Sequence, residues 1–398
     1  MMGVRVVKRV RLTLSVLSVA ALAAGCYCPW FPPPRSQSTQ TSTDTAGHAL
    51  PPQAVVQFGS IGGNRGIDPS NVTVFGEMKG IKPATVRPVG DSNLQQHTYI
   101  DQGYDADVAI DPTGHWMVFA STRDSDHTNI YMQRVDGTAV IQLTSEAADD
   151  SYPAFSPDGK QIAFSSTRAG GWQIFIMDVN GKNVTQVTTG PMQSIHPTWS
   201  PDGTRLAYCA LGSKSNQWEL WIVNLDTHEN TMIGYGLFPM WSPARDRDRI
   251  AYQRPRQRGS RWFSLWTLDV LNGEATRVTE VAVSSNAAIV SPSWSPDGKR
   301  LTFATIMEPN RELGQHSKDR TDIWIVSADG TDRQRLTDGT GTNLSPYWGA
   351  DNRVYFVSDR GGAECIWSAR TEPARTYMAE GKNQPAKQQS ADVQEPVH

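Results

Sequence analysis

One phrase is written six times along this chain. FSPDGKQIAFSSTR spans residues 155–168, WSPDGTRLAY 199–208, WSPDGKRLTF 294–303, and a looser WSPARDRDRIAY 241–252. An earlier copy, IDPTGHWMVFASTR, occupies 110–123, and a diverged one, WGADNRVYFVSDR, occupies 348–360. Repetition at a near-fixed period constrains a fold strongly, because each unit must bury its apolar face against the next.

The second copy shows what one unit is. SYPAF alternates ahead of Ser156-Pro157-Asp158-Gly159. Proline presets φ at the second turn position, aspartate favours the next, and glycine accepts positive φ. QIAFSS then alternates Ile162 and Phe164 with small or polar residues, as a strand with one buried face does. WQIFIMDV, a turn at Asn180-Gly181 and NVTQVT complete a four-stranded antiparallel meander, A-B-C-D. The turn prolines fall at 112, 157, 201, 243 and 296, with Ala350 in the sixth copy. Four strands at this period predict an all-β chain, a six-bladed β-propeller whose closed ring leaves no open array of sheet edges. The 13 tryptophans, 33 glycines and 25 prolines suit such a turn-rich fold.

Ring closure is also written in the chain. Leu143-Thr144 precedes SYPAFSP and Val187-Thr188 precedes IHPTWSP, so strand D sits at a set interval before the next strand A. One period earlier lies HTYI (97–100), with no A, B or C strand before it. HTYI is expected to complete the last blade, with Tyr99-Ile100 in the Leu-Thr place. The rival latch is ARTYM at 374–378.

The flanks read differently. Arg5, Lys8, Arg9 and Arg11 precede an apolar run at 12–25, too short to span a bilayer, so 1–25 reads as a signal peptide. It closes on LAAGC, similar to a lipobox although Ala23 stands where leucine is usual, which makes Cys26 the expected lipidation site. Two acyl chains give stable attachment. Tyr27 rather than aspartate follows the cysteine, so the expected place is the outer membrane, facing the periplasm. A Pro/Ser/Thr-rich tether covers 26–54, a short N-terminal segment 55–94, the propeller 95–378 and a disordered polar tail 379–398. With net charge −3 and no overall basic field, nucleic acid is not an expected partner. The expected state is a monomer. Cys209 and Cys365 lie in strand-like runs and read as small buried hydrophobes.

The [FW]-S-P-D-G-x-x-[IL]-A-[FY]-x-S-x-R phrase, followed by a Leu-Thr pair, resembles the WD40-like repeat of the TolB β-propeller family over roughly 95–370. The resemblance implies a six-bladed propeller in the cell envelope that binds other proteins, in a system that includes the peptidoglycan-associated lipoprotein. The family's pattern has a substantial α/β domain ahead of the propeller, where this chain has only 55–94. The same repeat precedes prolyl-oligopeptidase-type hydrolases, but no G-x-S-x-G nucleophile elbow occurs here.

Candidate chemistry is sparse. The eight histidines are scattered, without H-E-x-x-H or clustered metal spacing. His196, just before a strand-A proline, is expected at the channel mouth, where propeller lyases place metal-binding histidines. The equivalent positions are Val108, Tyr152, Phe238, Ser291 and Ser345. Asp149 and Asp150, with Ser151, are expected on the same face and offer hard oxygens to Ca²⁺, although no cofactor is required. Arg123, Arg168 and Arg360 recur in register after strand B, as structural bonds to a neighbouring loop or blade would.

Copies four and five are lengthened between strands B and C, by RPRQRGSRWF (254–263) and IMEPNRELGQHSKDR (306–320), and by a long D–A connection at 280–291. Arg254, Arg256, Arg258, Arg261, Arg311, Lys318 and Arg320 make this sector basic. Long loops on a rigid scaffold are where binding resides, and arginine suits carboxylate or phosphate partners. The expected function is a non-catalytic envelope scaffold that docks a partner protein or an anionic polymer. The alternatives are a metal-dependent carbohydrate lyase or hydrolase at the channel mouth, and a sensor of small anionic ligands.

Overall fold

Each copy of the phrase folds into one twisted antiparallel sheet, because the Ser-Pro-Asp-Gly turn reverses the chain between two strands that share a buried face. The structure is a computed structural model and describes residues 93–255, 263–284, 287–307 and 320–371. The signal peptide, Cys26, the tether and the tail lie outside the described residues, as does ARTYM.

A short first strand, β1 (Leu94–Gln96), precedes blade one, which holds β2 (Asp105–Ile110), β3 (Trp116–Ser121), β4 (Asn129–Arg134) and β5 (Val140–Gln142). Blade two holds β6 (Asp150–Phe155), β7 (Gln161–Ser166), β8 (Gln173–Asp178) and β9 (Thr185–Gln186). Blade three holds β10 (Ser194–Trp199), β11 (Arg205–Leu211), β12 (Trp218–Asn224) and β13 (Asn230–Tyr235). Blade four holds β14 (Leu237–Trp241), β15 (Arg249–Pro255), β16 (Phe263–Leu271) and β17 (Glu274–Ala282). Blade five holds β18 (Ala287–Trp294), β19 (Arg300–Met307), β20 (Arg320–Ser327) and β21 (Gln334–Arg335). Blade six holds β22 (Asn343–Trp348), β23 (Arg353–Ser358) and β24 (Cys365–Arg370), and its fourth strand is β1.

The first strand of each blade touches the first strand of the next, and β2 meets β22 to close the ring. The core lies between blades rather than within one. Val118 and Ile130 of blade one pack with Ile162, Phe164 and Phe175 of blade two. Phe119, Phe164, Phe303 and Phe356, the strand-B aromatics of four copies, are fully buried. Each such side chain contributes roughly 2–3 kcal/mol by leaving water. Cys209 and Cys365 are free thiols buried in this interior.

The repeated turn is a hydrogen-bonded unit. Ser156 Oγ donates to Asp158 Oδ1 (2.7 Å), and the Lys160 amide donates to the same carboxylate (3.1 Å). Gly159 sits at φ +71°, which a side chain would strain. Ser295 and Asp297 repeat the arrangement in blade five.

The Leu-Thr pair also has a physical reason. Thr144 Oγ1 accepts the Ile130 amide, Thr188 Oγ1 the Ile174 amide and Thr337 Oγ1 the Ile323 amide, at 2.8–2.9 Å. In blade six Thr98 Oγ1 accepts the Ile366 amide at 2.8 Å, which makes His97-Thr98 the equivalent pair. The chain therefore latches through its N-terminal strand, as expected, but the register differs. The paired strand is Leu94–Gln96, against Trp367–Ala369, rather than His97–Ile100, and Tyr99 is exposed.

His97 fastens that latch to blade one. Its Nδ1–H donates to Val135 O (2.9 Å), and its Nε2 accepts from Ser368 Oγ (2.7 Å). Burial lowers its pKa to about 4, which keeps the ring neutral in this role.

Two further expectations are refined. Arg123 and Arg168 bond chiefly to strand A of their own blade: each places Nη2 on both oxygens of Asp105 or Asp150, at 2.9–3.1 Å, and Arg168 also reaches Glu146 in the preceding loop at 3.4 Å. Arg360 reaches Asn343 Oδ1 (3.0 Å) in the same way. The stretch 280–291 is not mainly a loop: β17 runs to Ala282 and β18 starts at Ala287, because the D strand of blade four is extended to nine residues.

Candidate functional site

Every strand A carries the same defect. Its pairing with strand B skips two residues in all six blades, at 107–108, 152–153, 196–197, 238–239, 291–292 and 345–346. Such a bulge kinks the strand and re-aims a side chain. The first bulged residue has positive φ each time: Asp107 (52°), Tyr152 (54°), His196 (59°), Phe238 (51°), Ser291 (52°) and Ser345 (49°). Left-handed backbone at a non-glycine residue costs on the order of 1–3 kcal/mol, and six such residues in register point to a functional ring.

The amides freed by the bulges bond to the preceding blade. His196 donates to Ser165 Oγ (3.0 Å), Ser291 to Gln253 Oε1 (2.9 Å) and Tyr152 to Asp107 Oδ2 (3.4 Å). A proline follows the bulged residue in five blades and Val108 in the first, which is why that blade's functional position is Asp107 and not Val108.

These six side chains line a central cavity of about 370 Å³. Its walls run from the bulges down to the turn positions Pro112, Pro157, Pro201, Pro243, Pro296 and Ala350, with exposed Arg245 among the lining residues. The cavity thus opens among the Ser-Pro-Asp-Gly turns, and the bulged ring forms its inner end. His196, expected at the channel mouth, lines this cavity at its bulged end.

The ring is chemically lopsided. Tyr152, His196 and Phe238 of blades two to four form an aromatic arc, with centroids 5.2 Å (Tyr152–His196), 4.8 Å (His196–Phe238) and 6.0 Å (Tyr152–Phe238) apart. Ser291, Ser345 and Asp107 of blades five, six and one supply two hydroxyls and a carboxyl. Burial lowers the His196 pKa to about 4, opposed by its own backbone and that of Pro239, and its buried Nδ1 makes no well-formed hydrogen bond among the described residues. Asp107 touches the channel but sits deep in the protein. Desolvation raises its pKa to about 7, opposed only by the Tyr152 amide. Among the described residues no cation pairs with it.

The other sequence candidates lie elsewhere. Asp150 is fully buried and held by Arg168, so it is not available to Ca²⁺; Asp149 accepts from the Thr128 amide (3.1 Å) at the blade-one edge. Neither lines the cavity. Among the described residues no three His, Cys, Asp or Glu side chains converge to hold a metal. In the basic sector, Arg254 lies over the Trp266 ring at 5.4 Å. Arg320 is the first residue of β20. Arg256, Arg258, Arg261, Arg311 and Lys318 lie outside the described residues. Two long hairpins are described here: β15 and β16 pair as far as Pro255–Phe263, and β19 and β20 as far as Met307–Arg320.

Sequence reasoning missed Asp107, although a signal exists. The bulged residue lies five positions before the turn proline, or Ala350, in all six copies. That count, rather than the following proline, locates it.

Comparison with known proteins agrees with the geometry. The TolB beta propeller domain matches at residues 94–243, 176–308 and 212–394. A "Protein TolB homolog" of Chlorobium luteolum is 39% identical over 71 residues, 17% of this chain and 16% of that protein. A "Tol-Pal system protein TolB" of Alcanivorax borkumensis is 27% identical over 88 residues, 22% of this chain and 18% of that one. The matched stretches thus span less than a fifth of either relative. A solved TolB structure from Agrobacterium tumefaciens superimposes with TM-score 0.50 and 19% identity, over 68% of this chain and 91% of that one.

Proposed function

The chain belongs to the TolB β-propeller family, and on that premise we propose that it is a non-catalytic docking module of the bacterial cell envelope whose central cavity receives a segment of a partner. The observation that carries this reading is the cavity of about 370 Å³, ringed by six kinked strands and set in a latched, closed scaffold. Its size falls within the range of ligand pockets. A preformed pocket spares a partner much of the ordering cost of binding. The Alcanivorax relative is named for the Tol-Pal system, which supports envelope proteins as the partner class, the peptidoglycan-associated lipoprotein among them. Lipidation at Cys26 behind the signal peptide would hold the propeller at the outer membrane, facing the periplasm. Substituting Cys26→Ser and fractionating cells tests that anchor directly, since a chain that stays with the membrane refutes it.

The docking reading is tested by calorimetry of the purified chain with the peptidoglycan-associated lipoprotein of the same cell. Ser345→Phe places in blade six the side chain that blade four already carries at this bulge, and so fills the cavity. At least tenfold weaker binding is expected. Binding unchanged by Ser345→Phe refutes the cavity as the docking pocket, and no binding by the native chain refutes this partner.

The long hairpins of blades four and five favour a second contact on the opposite face. We assign to Arg254, Arg256, Arg258, Arg261, Arg311, Lys318 and Arg320 an anionic partner surface or envelope polymer. Charge reversal at Arg256, Arg258 and Arg261 should weaken capture of anionic glycan and lower its salt dependence. Retention of both refutes this surface.

A further inference from the structure

The cavity's inner end poses a problem of charge. A carboxyl taken out of water without a counter-charge is costly, and proteins resolve this by pairing it or by holding it protonated. Asp105 and Asp150, the other acidic residues of strands β2 and β6, are each paired with an arginine. Asp107 alone of these three faces the channel, and among the described residues its one hydrogen bond comes from the Tyr152 amide. Among the described residues, no basic group of the blades beside it pairs with this carboxyl. Tyr152 and Tyr347 line the same cavity as neutral phenols, and Tyr104 lies close by, also neutral. Asp111 is committed to its own turn, accepting the His115 and Trp116 amides at 2.8 and 2.7 Å. Arg245 lies in the exposed turn after β14, at the outer end of the cavity.

The aromatic arc starts beside this carboxyl, at Tyr152 of blade two, and runs round to Phe238 of the facing blade four; electron-rich ring faces attract a desolvated cation. Within the arc the buried Nδ1 of His196 makes no well-formed hydrogen bond among the described residues, and a neutral imidazole nitrogen can accept one. Ser291 and Ser345 add hydroxyl oxygens around the rest of the ring. Carboxylate, π faces, imidazole nitrogen and hydroxyls are the complement of a multiply donating cation on an apolar stem.

We propose that the inner end of the cavity is a cation subsite, which takes a primary ammonium or guanidinium group between the Asp107 carboxylate and the arc of Tyr152, His196 and Phe238. The proposal rests on the reading of the cavity as the docking pocket and names what enters it: the basic end of a side chain or of a small amine. An ammonium donates three hydrogen bonds and a guanidinium five, while their alkyl stems fit the proline-lined wall above. Binding requires the ionised carboxylate. Because Asp107 holds its proton up to about pH 7, affinity rises between pH 6 and pH 8 and binding takes a proton off the protein at the lower pH.

The test uses the whole purified chain and butylammonium, butylguanidinium and uncharged pentanol, with affinity and proton release read by calorimetry in buffers of different ionisation enthalpy. Both cations are expected to bind at least tenfold more tightly than pentanol at pH 8, and to weaken severalfold at pH 6. Asp107→Asn should remove the preference for the cations, and Phe238→Leu should weaken them severalfold while pentanol is little changed. Equal binding of pentanol and butylammonium, or undiminished cation binding by Asp107→Asn, overturns the subsite. A blocked lysine tripeptide that binds more tightly than butylammonium places the group on a protein partner; the reverse places it on a free amine. The two readings fail separately. A native chain that binds the partner protein but prefers neither cation over pentanol removes the subsite and leaves docking intact. Cation binding without any partner binding does the opposite.

Discussion

Replacing Asp107 with asparagine should make this protein more stable at neutral pH and leave it unchanged in acid. The native carboxyl has its pKa raised by burial to about 7, against 3.8 as the unperturbed value. Below about pH 4 both folded and unfolded chains hold the proton, and the carboxyl contributes nothing to the pH dependence. As pH rises the unfolded chain releases the proton first, so the folded state is progressively disfavoured until about pH 7, above which the penalty is constant. A shift of about three units at 1.36 kcal/mol each gives up to about 4 kcal/mol, and the channel's solvent access brings the expected figure to roughly 2–4 kcal/mol. Asparagine keeps an oxygen for the Tyr152 amide and tolerates the positive φ of 52° at this position. Urea denaturation followed by tryptophan fluorescence at pH 4.5, 6, 7 and 8 reads the difference between the two proteins. The gap should be small at pH 4.5, grow through pH 6 and level off above 7. A gap independent of pH, or an asparagine variant less stable at pH 8, would falsify the reasoning. A residue that weakens the fold at working pH fits a role in binding, where function and stability trade against each other.

Three further outcomes are expected. Arg168→Met leaves the fully buried Asp150 without its partner and should cost about 3–5 kcal/mol in urea denaturation, whereas adding Asp150→Leu to it should recover much of the loss; no recovery would refute the pairing argument. Thr98→Val removes the acceptor of the buried Ile366 amide at the latch and should cost about 1–3 kcal/mol, close to the effect of Thr144→Val in blade one, with a lower melting temperature as the readout. His97 and His196, both lowered to about 4 by burial, contribute stability that is full above about pH 6.5 and lost as pH falls toward 4, so His97→Gln should flatten the acid limb of the stability profile. An unaltered acid limb in His97→Gln would mean that this histidine titrates freely in the folded protein.

What the sequence settled is what each unit can settle alone. The Ser-Pro-Asp-Gly turn, its flanking strands and the Leu-Thr pair are local, and their physics is complete within one copy: a serine hydroxyl on an aspartate, a threonine oxygen on a strand amide. Six copies therefore specify six blades, and a surplus Leu-Thr-like pair ahead of the first copy specifies an N-terminal latch. Its register slipped because HTYI offers two plausible places for the pair, and only the Ile366 amide chooses Thr98. The recurring arginines showed a structural role by their register, but not the partner, since Asp105 and Asp150 lie 18 residues away along the chain.

The site was decided by tertiary structure, for one physical reason. Closing the ring brings together six side chains that stand 42–54 residues apart, and their chemistry depends on which neighbours closure provides. Asp107 in isolation is an ordinary acid beside a valine. Flanked by blades that offer phenols, hydroxyls and aromatic faces but, among the described residues, no paired cation, it becomes an uncompensated carboxyl at the channel wall. His196, legible in the sequence as a lone channel histidine, becomes part of an aromatic arc at the inner end of the cavity. Local periodicity wrote the scaffold, and the burial and charge balance of the ring, which no single copy contains, made the pocket.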